Sequence, residues 1–118
     1  MRTVPLVEAA LVSHGEGAGV VLAGLFLLLN LAYHDDRTVP LMRVVPSVIA
    51  VGGRHVGLAD AALSLLKLLD LLSRIRVNVD ALVACDAVGV VLQACDAHAA
   101  NKTIVGLGLA CLTSLAPR

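Results

Sequence analysis

The sequence predicts an all-α protein built from repeated groups of helices. Three observations support this fold class: apolar residues recur at helical spacing, long helical segments recur about 40 residues apart, and Pro, Gly and small residues mark the segment ends. The chain has 118 residues, of which 58% are hydrophobic. It is therefore long enough to bury a core as one domain, and it is too apolar for a disordered chain.

Three long helices are predicted at Val20–Tyr33, Leu58–Ile75 and Thr103–Ala116. In each of them a small residue precedes a polar residue by six positions. These pairs are Gly24 and Asn30, Ser64 and Asp70, and Gly108 and Ser114. A small residue within a helix lets the backbone of another helix approach closely, so we expect a tight helix contact at each of these positions.

Shorter helices are predicted between the long ones, and they repeat as well. Pro5 is followed nine residues later by His14, and Pro46 is followed at the same distance by His55. In the third copy Gly89 replaces the Pro, and the offsets between copies are 41 and 43 residues. A Pro is tolerated in the first turn of a helix because its missing N–H would have no partner there. The predicted shorter helices are Pro5–His14, Val39–Arg43, Pro46–Val51, Asn78–Cys85 and Val88–Ala97.

The repeated unit therefore contains a short, a medium and a long helix. We predict a partial repeat at residues 1–33, which lacks the short helix, and complete repeats at 34–74 and 75–118. A period in this range is typical of helical solenoids, in which each repeat covers the apolar side of its neighbour.

The pattern Gly24, Asn30, Leu31, Ala32, with its partial copy Gly108, Ser114, Leu115, Ala116, resembles the third helix of armadillo repeats. The resemblance implies a short right-handed α-solenoid of about two and a half three-helix repeats. It also implies that the third helices line a concave groove, where a ladder of Asn side chains holds an extended partner peptide. This chain departs from the family because only the first of its three ladder positions is Asn, and no Trp lies one turn earlier.

Residues four apart share one face of a helix, so the ladder positions extend to a larger predicted groove. Its members are Phe26, Asn30, His34, Leu66, Asp70, Arg74, Ala110, Ser114 and Arg118. Apolar anchors with a polar rim suit the binding of a protein or peptide partner. The alternative interpretation is that Asn30, Asp70 and Ser114 bind adjacent loops and hold the repeats in register.

Charge and composition argue against several other functions. Nine basic and nine acidic residues give no net charge, and aromatic residues are only 2%, so neither nucleic acid nor an anionic membrane is a predicted partner. Cys95 and His98 are three residues apart and could share a metal ion, but Cys85 lies on a different predicted helix, so two small buried thiols are the favoured interpretation. We predict no catalytic residues, no metal and no cofactor. An odd number of Cys without close pairs favours the cytoplasm.

The favoured hypothesis is thus a non-catalytic adaptor or scaffold, and two alternatives stay open. The first is a small helical membrane protein that uses residues 17–33 as a span, since this stretch contains no charge. The second is a small thiol-dependent or metal-dependent enzyme. A further expectation concerns the first repeat, where Leu6, Val7, Ala10 and Leu11 accompany a single charge. Such an uncapped repeat predicts self-association or a longer repeat array.

Overall fold

The computed structural model describes residues 3–14, 16–34 and 43–116, which form α-helices and no strands. The helices are α1 Thr3–Ser13, α2 Ala18–His34, α3 Val45–Gly53, α4 Ala59–Ser73, α5 Arg76–Ala84, α6 Ala87–Ala97 and α7 Lys102–Leu115. The all-α fold class is therefore confirmed. The three predicted long helices correspond to α2, α4 and α7. Of the predicted helix Val39–Arg43, the structure describes only Arg43, which lies in a turn.

Helix α4 forms the centre of the molecule, because it packs against α2 on one side and α7 on the other. The shorter helices make a similar set of contacts, with α3 packed against both α1 and α6. Each of the pairs α1–α2, α3–α4 and α6–α7 is also in contact. The described residues are compact, with a Cα radius of gyration of 12.9 Å.

In each helix pair, the two residues that make a close contact are separated by the same number of residues along the chain. A Cβ atom added at Gly24 would lie 2.8 Å from the Leu11 side chain, and one added at Gly108 would overlap the Cys95 sulfur. The expected close approaches at these two glycines are confirmed. In the middle pair the small residue is on the other helix, because a Cβ at Gly52 would lie 3.2 Å from the Leu65 side chain.

The helix ends have identifiable local causes. Asn101 caps α7, because its side-chain oxygen accepts hydrogen bonds from the backbone N–H groups of Thr103 and Ile104 at 3.1 and 3.2 Å. Pro46 lies in the first turn of α3, as predicted. At the turn between α4 and α5, the buried Asn78 side chain donates to the Leu72 carbonyl at 3.1 Å.

Candidate functional site

The predicted groove residues of the first repeat lie on α2. Phe26 is 55% exposed and Asn30 is also exposed, so both side chains are available to a partner. His34 is the last residue of α2.

The predicted groove residues of the second repeat require a correction. Leu66 is fully buried, and Asp70 is buried as well. The cause is the packing of α7 onto this side of α4, where the Cys111 thiol donates to the Leu66 carbonyl oxygen at 3.3 Å. Leu66 therefore belongs to the core and cannot contact a partner in this conformation.

A shift of one residue explains why the prediction placed Leu66 and Asp70 on the surface. Leu65 on α4 contacts Gly52 on α3, just as Gly24 on α2 contacts Leu11 on α1. Equivalent positions of the two helix pairs are therefore 41 residues apart, and not 40. One residue turns a helix by about 100°. With an offset of 41, the positions equivalent to Phe26 and Asn30 are Lys67 and Leu71, which are both partly exposed.

The sequence contained the signal for this correction. The Pro46 and His55 positions already gave an offset of 41 from the first copy, whereas the alignment of the long helices used 40. The predicted residues of the third repeat need no such shift. Ala110 is exposed and Ser114 is half-buried, both on α7, while Arg118 lies outside the described residues.

We use the name third-helix face for one set of surface positions on α2, α4 and α7. Its residues are all exposed or partly exposed and follow one another at four-residue spacing on each helix. They are Leu22, Phe26, Asn30, Leu63, Lys67, Leu71, Gly106, Ala110 and Ser114. Most of these residues are apolar, and Lys67 is the single charged residue among them.

Asp70 and Arg74 form an ion pair at the end of α4. An Arg74 guanidinium nitrogen donates to Asp70 Oδ2 at 2.8 Å, with the carboxylate mostly buried and the guanidinium mostly exposed. Burial, with a further contribution from the negative charge of Asp70, raises the pKa of the neighbouring Cys111 thiol to about 12. A thiol in this environment stays protonated near neutral pH and is a poor nucleophile.

A groove of about 960 Å³ lies where the last turns of α4 and α7 meet α5 and the start of α6. Arg74 and Ser114, which both belong to the predicted groove, line its wall together. The other lining residues include Ser73 and Asp80, and several Val and Leu side chains. The structure thus brings together these two predicted residues, although at one end of the molecule rather than along all three helices.

A second groove, of about 540 Å³, lies between α1 and α2. Its walls are apolar throughout, and Leu6 and Leu27 stand exposed at its edges. The sequence predicts that the first repeat exposes four apolar side chains. Leu6 and Ala10 are exposed, whereas Val7 and Leu11 are buried against α2 and the core.

Clustered titratable and buried polar side chains are the usual components of a metal or catalytic site. In the described ranges, no three His, Cys, Asp or Glu side chains come close enough together to hold a metal ion. Every buried side-chain nitrogen or oxygen in that part of the chain has a hydrogen-bond partner. His98 is an example, since its Nε2 lies 2.7 Å from the Val56 carbonyl oxygen in the turn after α3.

A helix that spans a bilayer needs about 20 consecutive apolar residues. Within residues 3–14, 16–34 and 43–116, no single helix is both long and apolar enough to cross a membrane. The segments Val77–Ala84 and Ala87–Ala97 reach that length only jointly, across a bend of 70°.

Comparison with known proteins gives no relative, because no protein-family model, curated protein or solved structure matches this chain.

Proposed function

We propose that the protein is a non-catalytic interaction module, an adaptor or scaffold that binds a partner protein or peptide along the third-helix face. In this proposal the helices form a short right-handed solenoid of about two and a half armadillo-like repeats. The proposal includes a cytoplasmic location, which the three free cysteines support.

Helix packing supports the stacked arrangement. Helix α4 lies between α2 and α7, and α3 contacts both α1 and α6, which is the neighbour-to-neighbour pattern of a repeat array. The close contacts Leu11–Gly24, Gly52–Leu65 and Cys95–Gly108 recur at offsets of 41 and 43 residues. Equivalent positions of successive helix pairs therefore make equivalent contacts.

The observation that carries the binding proposal is the exposure of Phe26. It is the single Phe of the chain, it projects from α2, and it is 55% exposed. Leu63 and Leu71, on the adjacent α4, are partly exposed on the same face. Aromatic and aliphatic side chains held on rigid helices are typical anchors of protein interfaces, where their burial supplies most of the binding energy.

The chemistry of the face indicates the kind of partner. Because most of its residues are apolar and Lys67 is central, we expect a segment with two or three apolar side chains and one acidic residue. Asn30 and Ser114 add polar groups that can bind the partner's backbone. A short amphipathic helix or an extended peptide meets these requirements.

A peptide library displayed on phage tests the proposal. Selection against the full chain should enrich peptides that combine apolar anchors with an acidic residue, and their affinity can be measured by fluorescence polarisation. Phe26→Glu should weaken binding of an enriched peptide by roughly tenfold or more, because it places a charge at the main anchor. Lys67→Glu should weaken it less and should reduce its dependence on salt concentration.

Val77→Glu is the matched control, because Val77 is an exposed apolar residue on α5 and lies outside the third-helix face. This variant should bind the peptides normally. Failure to enrich any sequence, or equal binding by the Phe26 and Val77 variants, would contradict the proposal. Binding of the chain to phosphatidylcholine vesicles, lost in Phe26→Glu, would support a membrane role for this face instead.

A further inference from the structure

The apolar groove between α1 and α2 belongs to a surface that we name the front face. It consists of exposed residues of the two helices that point away from α3 and α4. They are Leu6, Ala10, Val20, Ala23 and Leu27. Leu6 is 67% exposed and Leu27 is 41% exposed, which is unusual for large aliphatic side chains that share one groove.

The equivalent positions in the rest of the chain are covered. At an offset of 41 residues they are Ser47, Val51, Ala61, Ser64 and Leu68, and a further 43 residues along they are Val90, Ala94, Ile104, Leu107 and Cys111. Ser47 and Leu107 are partly exposed, and the others are buried. Eight of these ten equivalent positions are therefore buried, so the fold covers most of this surface where it occurs elsewhere in the described residues.

Specific contacts show what covers those equivalent positions. The Ser47 hydroxyl donates to the Glu8 carboxylate on α1 at 3.0 Å, and Cys111 donates to the Leu66 carbonyl on α4. Val90 lies against Gly53, where an added Cβ would be 3.5 Å from its side chain. In each case the covering surface is the back of the preceding helix pair.

The last helix pair presents the same kind of back surface to solvent. We name this surface, which contains Leu92 on α6 and Leu109 on α7, the back face. The two side chains are 53% and 58% exposed. Their equivalents on α3 and α4 are Ile49 and Leu66, which the next helix pair buries.

We propose that the occupant of the front face is a second copy of this chain, which stacks its back face onto α1 and α2. The contact would repeat between molecules the packing that already joins α2 to α4 and α4 to α7. Both surfaces are centred on exposed Leu side chains, and the front groove is lined without a charged residue. Docking therefore buries apolar side chains from both surfaces.

Such a contact joins two different surfaces and is heterologous. In an open assembly it leaves one front face and one back face free, so further copies add to the dimer until a ring closes. The inference uses the stacked arrangement of the proposed function, but it concerns the two ends of the helix array rather than the third-helix face.

Sedimentation velocity of the full chain tests this arrangement. From about 1 μM to about 1 mM the weight-average mass should rise beyond that of a dimer. Leu6→Glu and Leu109→Glu should each weaken association by roughly tenfold or more, since each places a carboxylate in the buried contact. Both positions are exposed in the monomer, so the variants should keep the wild-type circular dichroism spectrum.

The decisive measurement is a mixture of these two variants. The Leu6 variant retains an intact back face and the Leu109 variant retains an intact front face, so together they should form a dimer that adds no further copies. Neither variant should dimerise alone to the same extent. Ala10→Glu and Leu92→Glu provide a second pair with the same logic, and Phe26→Glu is the control that should leave self-association unchanged.

Three results would overturn the inference. The first is a wild-type chain that stays monomeric throughout the concentration range. The second is self-association that Leu6→Glu abolishes and Leu109→Glu leaves intact, because this indicates a symmetric contact between two front faces. The third is a mixture of the variants that forms no dimer. Loss of peptide binding in Phe26→Glu with normal self-association would separate this inference from the proposed function.

Discussion

Leu residues at corresponding positions differ in burial between the central helix α4 and the helices α2 and α7 that pack against it. Leu66 on α4 is fully buried, whereas its equivalent on α7, Leu109, is more than half exposed. Leu68 on α4 is buried, and its equivalent on α2, Leu27, is 41% exposed. The side chains are identical, so the difference arises from the neighbours. A helix between two others contributes stability, and a helix at the edge of the array offers surface.

The difference in burial assigns folding to the central helix and association to the more exposed helices. The core is centred on α4, which presents buried Leu residues to α2 and α7 and keeps only a narrow outward strip in solvent. The proposed contacts with peptides and with other copies use residues on the outward strip and on the edge helices. Changes at the centre should therefore affect folding, and changes at the edges should affect association.

The largest expected difference is in the free energy of unfolding between two Leu→Ala variants at equivalent positions. Leu66→Ala should lower the free energy of unfolding by about 2–5 kcal/mol, because it removes buried methyl groups and leaves a cavity between α4 and α7. Leu109→Ala should cost less than about 1 kcal/mol, since that side chain is mostly in water. Urea denaturation followed by circular dichroism, at a concentration where the chain is monomeric, measures both values. Similar losses would contradict the burial difference.

Two glycines on α7 should respond in opposite directions to the same substitution. Gly108→Ala places a methyl group against the Cys95 sulfur and should destabilise the fold by about 1–3 kcal/mol. Gly106→Ala meets no atom within 4 Å and should stabilise the helix by about 0.5–1 kcal/mol, through helix propensity alone. Thermal unfolding of the two variants provides the comparison, and a stable Gly108→Ala variant would show that α6 and α7 are not in close contact.

Alkaline pH should reveal the burial of Cys111. The folded chain holds the thiol proton until its pKa of about 12, whereas an unfolded chain releases it near the ordinary value of 9.0. The stabilising contribution of the raised thiol pKa is therefore fully present below pH 9 and is lost as the pH rises towards 12. By pH 10 the loss amounts to about 1 kcal/mol. Cys111→Ser should remove this part of the pH dependence, because a hydroxyl does not ionise in the range, while Cys85→Ser should keep it.

The smallest difference is expected between the Arg74–Asp70 and Arg54–Glu16 ion pairs. Arg74→Ala leaves the mostly buried Asp70 carboxylate without its guanidinium partner and should cost about 1 kcal/mol, a value limited by the exposure of Arg74. Arg54→Ala breaks the exposed 3.4 Å pair with Glu16 and should change stability by less than about 0.5 kcal/mol. The Arg74 effect should persist better in high salt. Equal and salt-sensitive effects would place both pairs on the surface.

The ion pair at Asp70 also changes how the predicted groove can be tested. Charge reversal at Asp70 would put a cation into a nearly buried site beside Arg74 and would destabilise the fold. Loss of partner binding in that variant would then reflect unfolding rather than a lost contact. Phe26 and Lys67 are better positions, because each has an exposed or partly exposed side chain.

Sequence periodicity predicted the helices well, because Pro, Gly and apolar spacing act locally along the chain. The long helices at α2, α4 and α7, and the close approaches at Gly24 and Gly108, follow from residues a few positions apart. The groove was less predictable, since membership of a surface depends on the rotation of each helix. An error of one residue in the alignment of α4 was enough to place Leu66 and Asp70 outside instead of Lys67 and Leu71.

The sequence by itself determined that this chain folds into apolar helices of recurring length, with small residues where helices approach. Only the tertiary structure decided which apolar residues are core and which are surface. Leu25, Leu66 and Leu109 have the same residue type at equivalent positions, yet the first two are fully buried and the third is open. The physical reason is that apolar burial depends on a neighbouring helix that covers the side chain, and this neighbour comes from residues far along the chain.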